Sequence, residues 1–153
     1  FRYASLPKLL RASDIVSLHV PYSRASHHLM NRETFRLMKR GALFINTARG
    51  GLVDTHALVW ALDQGIIGGA GLDVLEGEEL VKEERQLLEQ DVPKERLATL
   101  LKNHILLHRE NVVITPHIAF DSREALQRIL ETTVSNIVGF LGGSPANVVT
   151  NPS

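Results

Sequence analysis

The sequence predicts an α/β fold, in which a parallel sheet is flanked by helices and followed by one long C-terminal helix. Three observations carry that expectation. Short β-branched or apolar runs alternate with helical segments along most of the chain, the order of parallel βαβ units. One of these runs, Ala42-Leu43-Phe44-Ile45-Asn46, is nearly all apolar, the pattern of a strand covered on both faces. From Ser122 to Leu141 the apolar positions Leu126, Ile129, Leu130, Val134, Ile137, Val138 and Leu141 keep a period of about 3.6 residues, which marks an amphipathic helix.

The elements follow in order. Ser5 to Leu10 reads as a short helix, with Ser5 as its cap and Pro7 tolerated in the first turn. Asp14 to Val20 is a strand that stops at Pro21. Asn31 caps a helix through Leu37 and Met38, ended by Gly41, and the apolar strand Ala42–Asn46 follows. Asp54 opens a helix carrying Leu58, Val59, Ala61 and Leu62, with Gly65 as its stop. Gly69 to Val74 is a strand whose glycines imply close backbone packing. The charged stretch from Glu76 to Glu110 holds two helices, one around Leu87 and Leu88 and one started by Pro93 that carries Leu97, Leu100 and Leu101. Asn111 to Thr115 is the last strand, and the tail from Gly142 is irregular.

Composition narrows the function classes. The 153 residues are 44% hydrophobic and 22% charged, with 17 basic against 17 acidic side chains. A balanced charge argues against a nucleic-acid groove or an anionic membrane surface as partner, since both call for a basic excess. There is no cysteine, which excludes disulfide scaffolds, thiol catalysis and Cys-zinc sites and agrees with a reducing, cytoplasmic compartment. No apolar run approaches the length of a membrane span.

Parallel sheets present functional groups at the carboxyl ends of their strands. Here those ends deliver His19-Val20-Pro21, Thr47-Ala48-Arg49-Gly50-Gly51, Asp73 to Glu78, and Pro116-His117. Arg49 can grip a carboxylate through two parallel hydrogen bonds, although a lone Arg also serves in ordinary ion pairs. His117 can act as acid or base, because imidazole titrates near neutrality unaided. Asp73 or Glu78 can orient it. An Arg, a carboxylate and a His at successive strand ends suit a reaction on a small 2-oxo or 2-hydroxy acid. Other features read as plain structure. His104 and His108 have metal-ligand spacing but no accompanying Glu, so they belong to a solvated helix face. His27-His28 is a helix-start pair, Trp60 is core, and the Glu79–Glu89 cluster is a solvated face. Gly68-Gly69-Ala70-Gly71 continues as a strand and is no phosphate loop.

At these residues the sequence resembles the D-isomer-specific 2-hydroxyacid dehydrogenases. The stretches that carry the resemblance are Ser13 to Pro21, Met38 to Asp54, Gly71 to Glu76, and Asn111 to Phe120. The long segment from Glu78 to Asn111 is similar to the D-lactate dehydrogenase branch. The resemblance implies a partial Rossmann-type sheet and NAD as cofactor. It implies that Arg49 holds the substrate carboxylate and polarises the neighbouring carbonyl, and that His117 exchanges a proton with the carbonyl oxygen. Glu78 matches the acidic residue that pairs with the His and keeps it protonated. Asp73 is expected at the nicotinamide end of NAD, and Val20, Pro21, Ser26, Thr47, Ala48 and Arg49 along the cofactor cleft. No metal is implied. Residues 1–118 correspond to the C-terminal half of a dinucleotide-binding domain, and 119–153 to a helix and tail returning toward a substrate domain. The expected partner is a small 2-oxo acid such as pyruvate, in a homodimer of the intact protein.

The family's Gly-x-Gly-x-x-Gly turn and its following acidic residue are not in this sequence. Together with Phe1 in place of Met, this leads us to expect a piece of a longer protein. Such a piece should bind NAD weakly, leave a sheet edge and a helix face open to self-association, and be inert alone. The competing expectation is a module that senses NAD or acts as a scaffold without catalysis. The retained Arg49, Glu78 and His117 weigh against it, since a pure binder needs no proton donor.

Overall fold

The structure, a computed structural model, describes residues 2–78 and 93–149. The chain divides into two compact units, Phe1–His117 and Ile118–Ser153. In the first unit the elements run α1 (Leu6–Ala12), β1 (Ile15–Leu18), α2 (Arg32–Arg36), β2 (Ala42–Asn46), a single 3-10 turn (Gly50–Leu52), α3 (Thr55–Asp63), β3 (Ile67–Leu72), α4 (Lys94–Leu107) and β4 (Val112–Ile114). The second unit holds α5 (Arg123–Leu141). The expected helix around Leu87 and Leu88 and the Glu79–Glu89 cluster lie outside the described residues.

Among the described residues four strands form one parallel sheet in the order β1-β2-β3-β4. Val16 pairs with Phe44, Phe44 with Ala70, and Ala70 with Val112, so one row crosses the sheet. Val16, Phe44 and Ala70 are buried with Leu10, Phe35, Leu58, Leu62 and Leu106 of the helices in a single core. The Phe35 and Phe44 rings meet edge to face, 5.2 Å apart, a favoured aromatic geometry. The alternate row differs from expectation. Ile15 is 58% exposed, Leu43 45% and Val113 67%, so among the described residues β2 is well covered on one face only. An apolar run by itself does not separate these cases, because side chains alternate between faces whatever their polarity.

Local chemistry explains the helix starts. Asn31 accepts from the Glu33 and Thr34 amides, while Thr34 Oγ1 accepts from the Asn31 amide at 2.7 Å, a complete capping box. Asp54 caps α3 through the His56 and Ala57 amides, and Ser122 caps α5 through Ala125. Ser5 stands at the N-cap of α1 without a side-chain bond. Gly41 turns the chain into β2 at φ 80°, a left-handed conformation that glycine adopts without a Cβ penalty. Close packing at β3 is real: a Cβ on Gly68 would lie 2.7 Å from the Gly41 carbonyl, and one on Gly69 2.8 Å from that of Asn111. β3 runs Ile67–Leu72, earlier at both ends than Gly69–Val74. A glycine-rich strand carries little side-chain alternation to mark its limits.

Three further expectations need correction. His27 and His28 lie in a turn ahead of Asn31 rather than at a helix start. Trp60 is only partly buried, with the Arg32 and Arg36 guanidinium groups 5.1 and 5.2 Å from its ring centre, so it is a cation–π platform at the core's edge. β1 and β4 are shorter than the runs Asp14–Val20 and Asn111–Thr115. His104 on α4 and His108 at its C-cap are both exposed, as expected. In the second unit the α5 stripe is exposed along its length, with no buried residue. Its tail folds back through Ser144 to the Gly139 carbonyl and Asn147 to Asn136. Among the described residues no helix is long and apolar enough to cross a membrane.

Candidate active site

The site begins at the end of β2. Asn46 is 1% exposed, and its side chain closes the following turn: Nδ2 donates to the Arg49 carbonyl at 2.9 Å and Oδ1 accepts from the Ala48 amide at 3.1 Å. A buried amide satisfied on both sides is a rigid hinge pin. It presents Thr47, Ala48 and Arg49 at the strand mouth. The Arg49 guanidinium is exposed, donates to the Ala48 carbonyl at 2.6 Å, and has no carboxylate partner among the described residues. The ordinary ion pair weighed for it is therefore not seen there.

Next along the chain, Gly50 presses against the loop that follows β3. A Cβ at Gly50 would lie 2.1 Å from the Leu75 carbonyl oxygen and 2.5 Å from the Glu76 nitrogen, so only glycine lets the two loops meet. The β3 loop turns through Gly77 at φ 72°. Within it the Leu75 amide donates to Glu78 Oε2 at 3.1 Å, and the Glu78 amide to the Leu75 carbonyl at 3.2 Å. These bonds fix one carboxylate oxygen and leave the other outward.

That second oxygen, Oε1, meets His117 Nδ1 at 2.8 Å, with the two side chains 28% and 37% exposed. A carboxylate oxygen only accepts, so Nδ1 carries the hydrogen and Nε2 is left for exchange. His117 has φ 59°, an uncommon conformation for a non-glycine residue. Its amide donates to the Thr115 carbonyl at 3.0 Å. Of the two carboxylates considered for His117, Glu78 makes this contact. Asp73 is buried and accepts from the Thr115 hydroxyl, and its amide donates to the Asn46 carbonyl at 2.9 Å.

Two cavities border the turn after β2. One, of about 770 Å³, is lined by Arg49 and Glu78 together with Tyr22, His28, Glu76 and Arg96, among others. The other, of about 700 Å³, is lined by His19, Val20, Pro21, Tyr22, Thr47, Ala48 and Arg49. Arg49 and Tyr22 belong to both. The second cleft has the size of a small-molecule site. Its Val20, Pro21 and Ala48 walls are apolar. Ser26 is not on its wall. The Ser26 hydroxyl donates to the Pro21 carbonyl at 2.9 Å and shapes the turn behind it. Among the described residues no three His, Cys, Asp or Glu side chains gather as for a metal ion.

Sequence reasoning missed Asn46, Tyr22, His28 and Glu76. A polar residue closing an otherwise apolar strand was the available signal for Asn46. Glu76 pairs with a residue 48 positions away, a separation that leaves no local pattern.

Residues 1–119 match the family model described as "D-isomer specific 2-hydroxyacid dehydrogenase, NAD binding domain". The chain is 40% identical over 144 residues to the glycerate dehydrogenase of Methylorubrum extorquens, covering 94% of this chain and 40% of that protein. It is 42% identical over 149 residues to the glyoxylate reductase of Thermofilum pendens, covering 97% of this chain and 38% of the relative. Among solved structures, the D-lactate dehydrogenase of Aquifex aeolicus, complexed with NAD and lactic acid, superposes with a TM-score of 0.81 at 43% identity, covering 94% of this chain and 41% of that one. The chain thus spans about two fifths of the length of the relatives it matches.

Proposed function

The chain belongs to the D-isomer specific 2-hydroxyacid dehydrogenase family, and we propose that it serves the reduction of a small 2-oxo acid by NADH to the D-2-hydroxy acid, pyruvate to D-lactate first among them. The observation that carries this reading is the His117–Glu78 pair at 2.8 Å, in which Glu78 sits on the loop packed against Gly50, beside Arg49. The carboxylate that orients the proton donor is thereby held on a loop packed against the turn that carries Arg49.

In this reading Arg49 binds the substrate carboxylate through two parallel hydrogen bonds and turns its positive charge on the adjacent carbonyl. Val20, Pro21, Thr47 and Ala48 would line the cleft that holds NAD, with Ser26 behind it and Asp73 at the adjacent strand end, and the cofactor in reduced form would supply a hydride to the carbonyl carbon. As the carbon–oxygen π bond breaks, the oxygen takes the proton from His117 Nε2. The imidazole left behind is neutral and stays oriented by Glu78 through Nδ1. In the oxidative direction the same nitrogen takes the proton back.

The likeness to a D-lactate dehydrogenase supports pyruvate, and the likenesses to a glycerate dehydrogenase and a glyoxylate reductase support the wider class of small 2-oxo acids. A cytoplasmic homodimer is part of the same proposal, on the family resemblance. A module that only binds has no use for an oriented proton donor, which favours the enzyme. Replacement His117→Gln tests it in the full-length gene product, because the amide keeps hydrogen-bonding reach but delivers no proton. Turnover should fall by about 10²–10⁴-fold, the usual contribution of a general acid, with NADH affinity unchanged. Turnover at the unaltered rate would overturn the assignment.

A further inference from the structure

We propose that Glu76 is a positioning residue for the proton donor, acting on Glu78 through the loop they share; this rests on the functional reading above. Glu76 joins three separate segments to that loop. Its Oε1 meets His28 Nε2 at 2.5 Å, and its Oε2 accepts from the Thr55 amide at 3.1 Å at the start of α3. Its backbone carbonyl accepts from Asn103 Nδ2 of α4 at 2.9 Å. Both carboxylate oxygens are thus committed within the fold, in contrast to Glu78, which turns one oxygen to His117.

The partner side is equally constrained. His28 has φ 50°, its amide donates to the Gly51 carbonyl at 3.0 Å, and its carbonyl accepts from Asn31 Nδ2 at 3.1 Å. Its ring stacks on His27 at 3.8 Å, and His27 Nδ1 lies 3.2 Å from the Tyr22 hydroxyl. A Cβ on Gly51 would fall 2.7 Å from the Tyr22 ring, so this chain of side chains abuts the turn that carries Arg49. The Leu75–Glu78 loop is therefore clamped at Gly50, His28, Thr55 and Asn103. Between those clamps only the Glu78 carboxylate is left to face His117. Removing the Glu76 carboxylate frees two of the clamps at once, and a donor displaced by about 1 Å loses up to about 10²-fold in rate.

The test compares Glu76→Ala, Glu76→Gln and His28→Ala in the full-length gene product. It follows kcat, KM for pyruvate, NADH affinity, and the NMR signals of the His117 ring. Glu76→Ala should lower kcat by about 10- to 100-fold, leave NADH affinity and KM nearly unchanged because Asn46 holds the Arg49 turn, and move the His117 ring signals. Glu76→Gln should recover most of kcat, since its oxygen still accepts from Thr55 and its amide can donate to His28. His28→Ala should fall between them and covers the case in which Glu76→Ala does not fold. The proposal is overturned if Glu76→Ala keeps its kcat, if Glu76→Gln is no better than Glu76→Ala, or if kcat and NADH binding are lost together. If the unaltered protein oxidises no NADH with any 2-oxo acid, the functional reading fails. The His117 signals then still decide whether Glu76 holds the pair, and unmoved signals would overturn the positioning claim on its own.

Discussion

The contact between Gly50 and the loop after β3 makes a sharp prediction for Gly50→Ala. The added methyl would start 2.1 Å from the Leu75 oxygen, 2.2 Å from its carbonyl carbon and 2.5 Å from the Glu76 nitrogen. All three atoms are backbone, so no side chain can rotate away. Restoring ordinary van der Waals distance takes a separation of about 1 Å between the loops. The Leu75 peptide cannot yield independently, because its amide and carbonyl are both bonded to Glu78. Glu78 must move with it. Gly50 is not among the positive-φ glycines, so alanine brings no backbone penalty and even gains about 0.4–1 kcal/mol by restricting the unfolded chain. Overpacking costs about 1–3 kcal/mol, so urea unfolding should show a net loss, and kcat should fall by up to about 10²-fold. Gly71→Ala is the control, since its Cβ meets only the Ile45 side chain, at 3.8 Å; it should keep activity within about twofold. If Gly50→Ala behaves like Gly71→Ala in both assays, the two loops are not held together by that contact and the argument fails.

Replacing Glu78 with Gln keeps the loop bonds but removes the charged partner of His117, and steady-state kinetics should show kcat down by about 10²-fold or more with NADH binding intact. Arg49→Lys substitutes a point charge for a two-pronged grip; KM for the 2-oxo acid should rise by about 10-fold or more, and an unchanged KM would place the carboxylate elsewhere. Phe44→Ala empties the centre of the sheet, where Phe44 is fully buried against Phe35. Chemical denaturation should report a loss of about 3–5 kcal/mol, and a loss below about 1 kcal/mol would mean the core is elsewhere.

Much of the architecture was readable because local chemistry and pattern agreed. Asn31 and Asp54 form the caps their residue types imply, and α5 spans the stripe its apolar period outlined. Apart from Asn46, what escaped had no local trace. The burial of one face of β2 depends on which elements pack there, and β3 reads poorly because glycines carry no pattern. His27 and His28 look like residues before a helix, yet their role is set by Tyr22 and by Glu76, 48 positions from His28. Arg49, Glu78 and His117 were each visible as residues at strand ends. That Glu78 rather than Asp73 meets His117, 39 positions away, is a fact of topology that spacing alone left open and the family resemblance supplied.

The proposed function turns on a proton delivered by His117 during D-specific reduction. Its most direct measurement follows NADH oxidation by the full-length gene product with pyruvate and resolves the chirality of the product. Pyruvate-dependent oxidation yielding D-lactate, lost on His117→Gln, is the expected result. Formation of L-lactate, or no oxidation with pyruvate, glyoxylate or any other small 2-oxo acid, would contradict it.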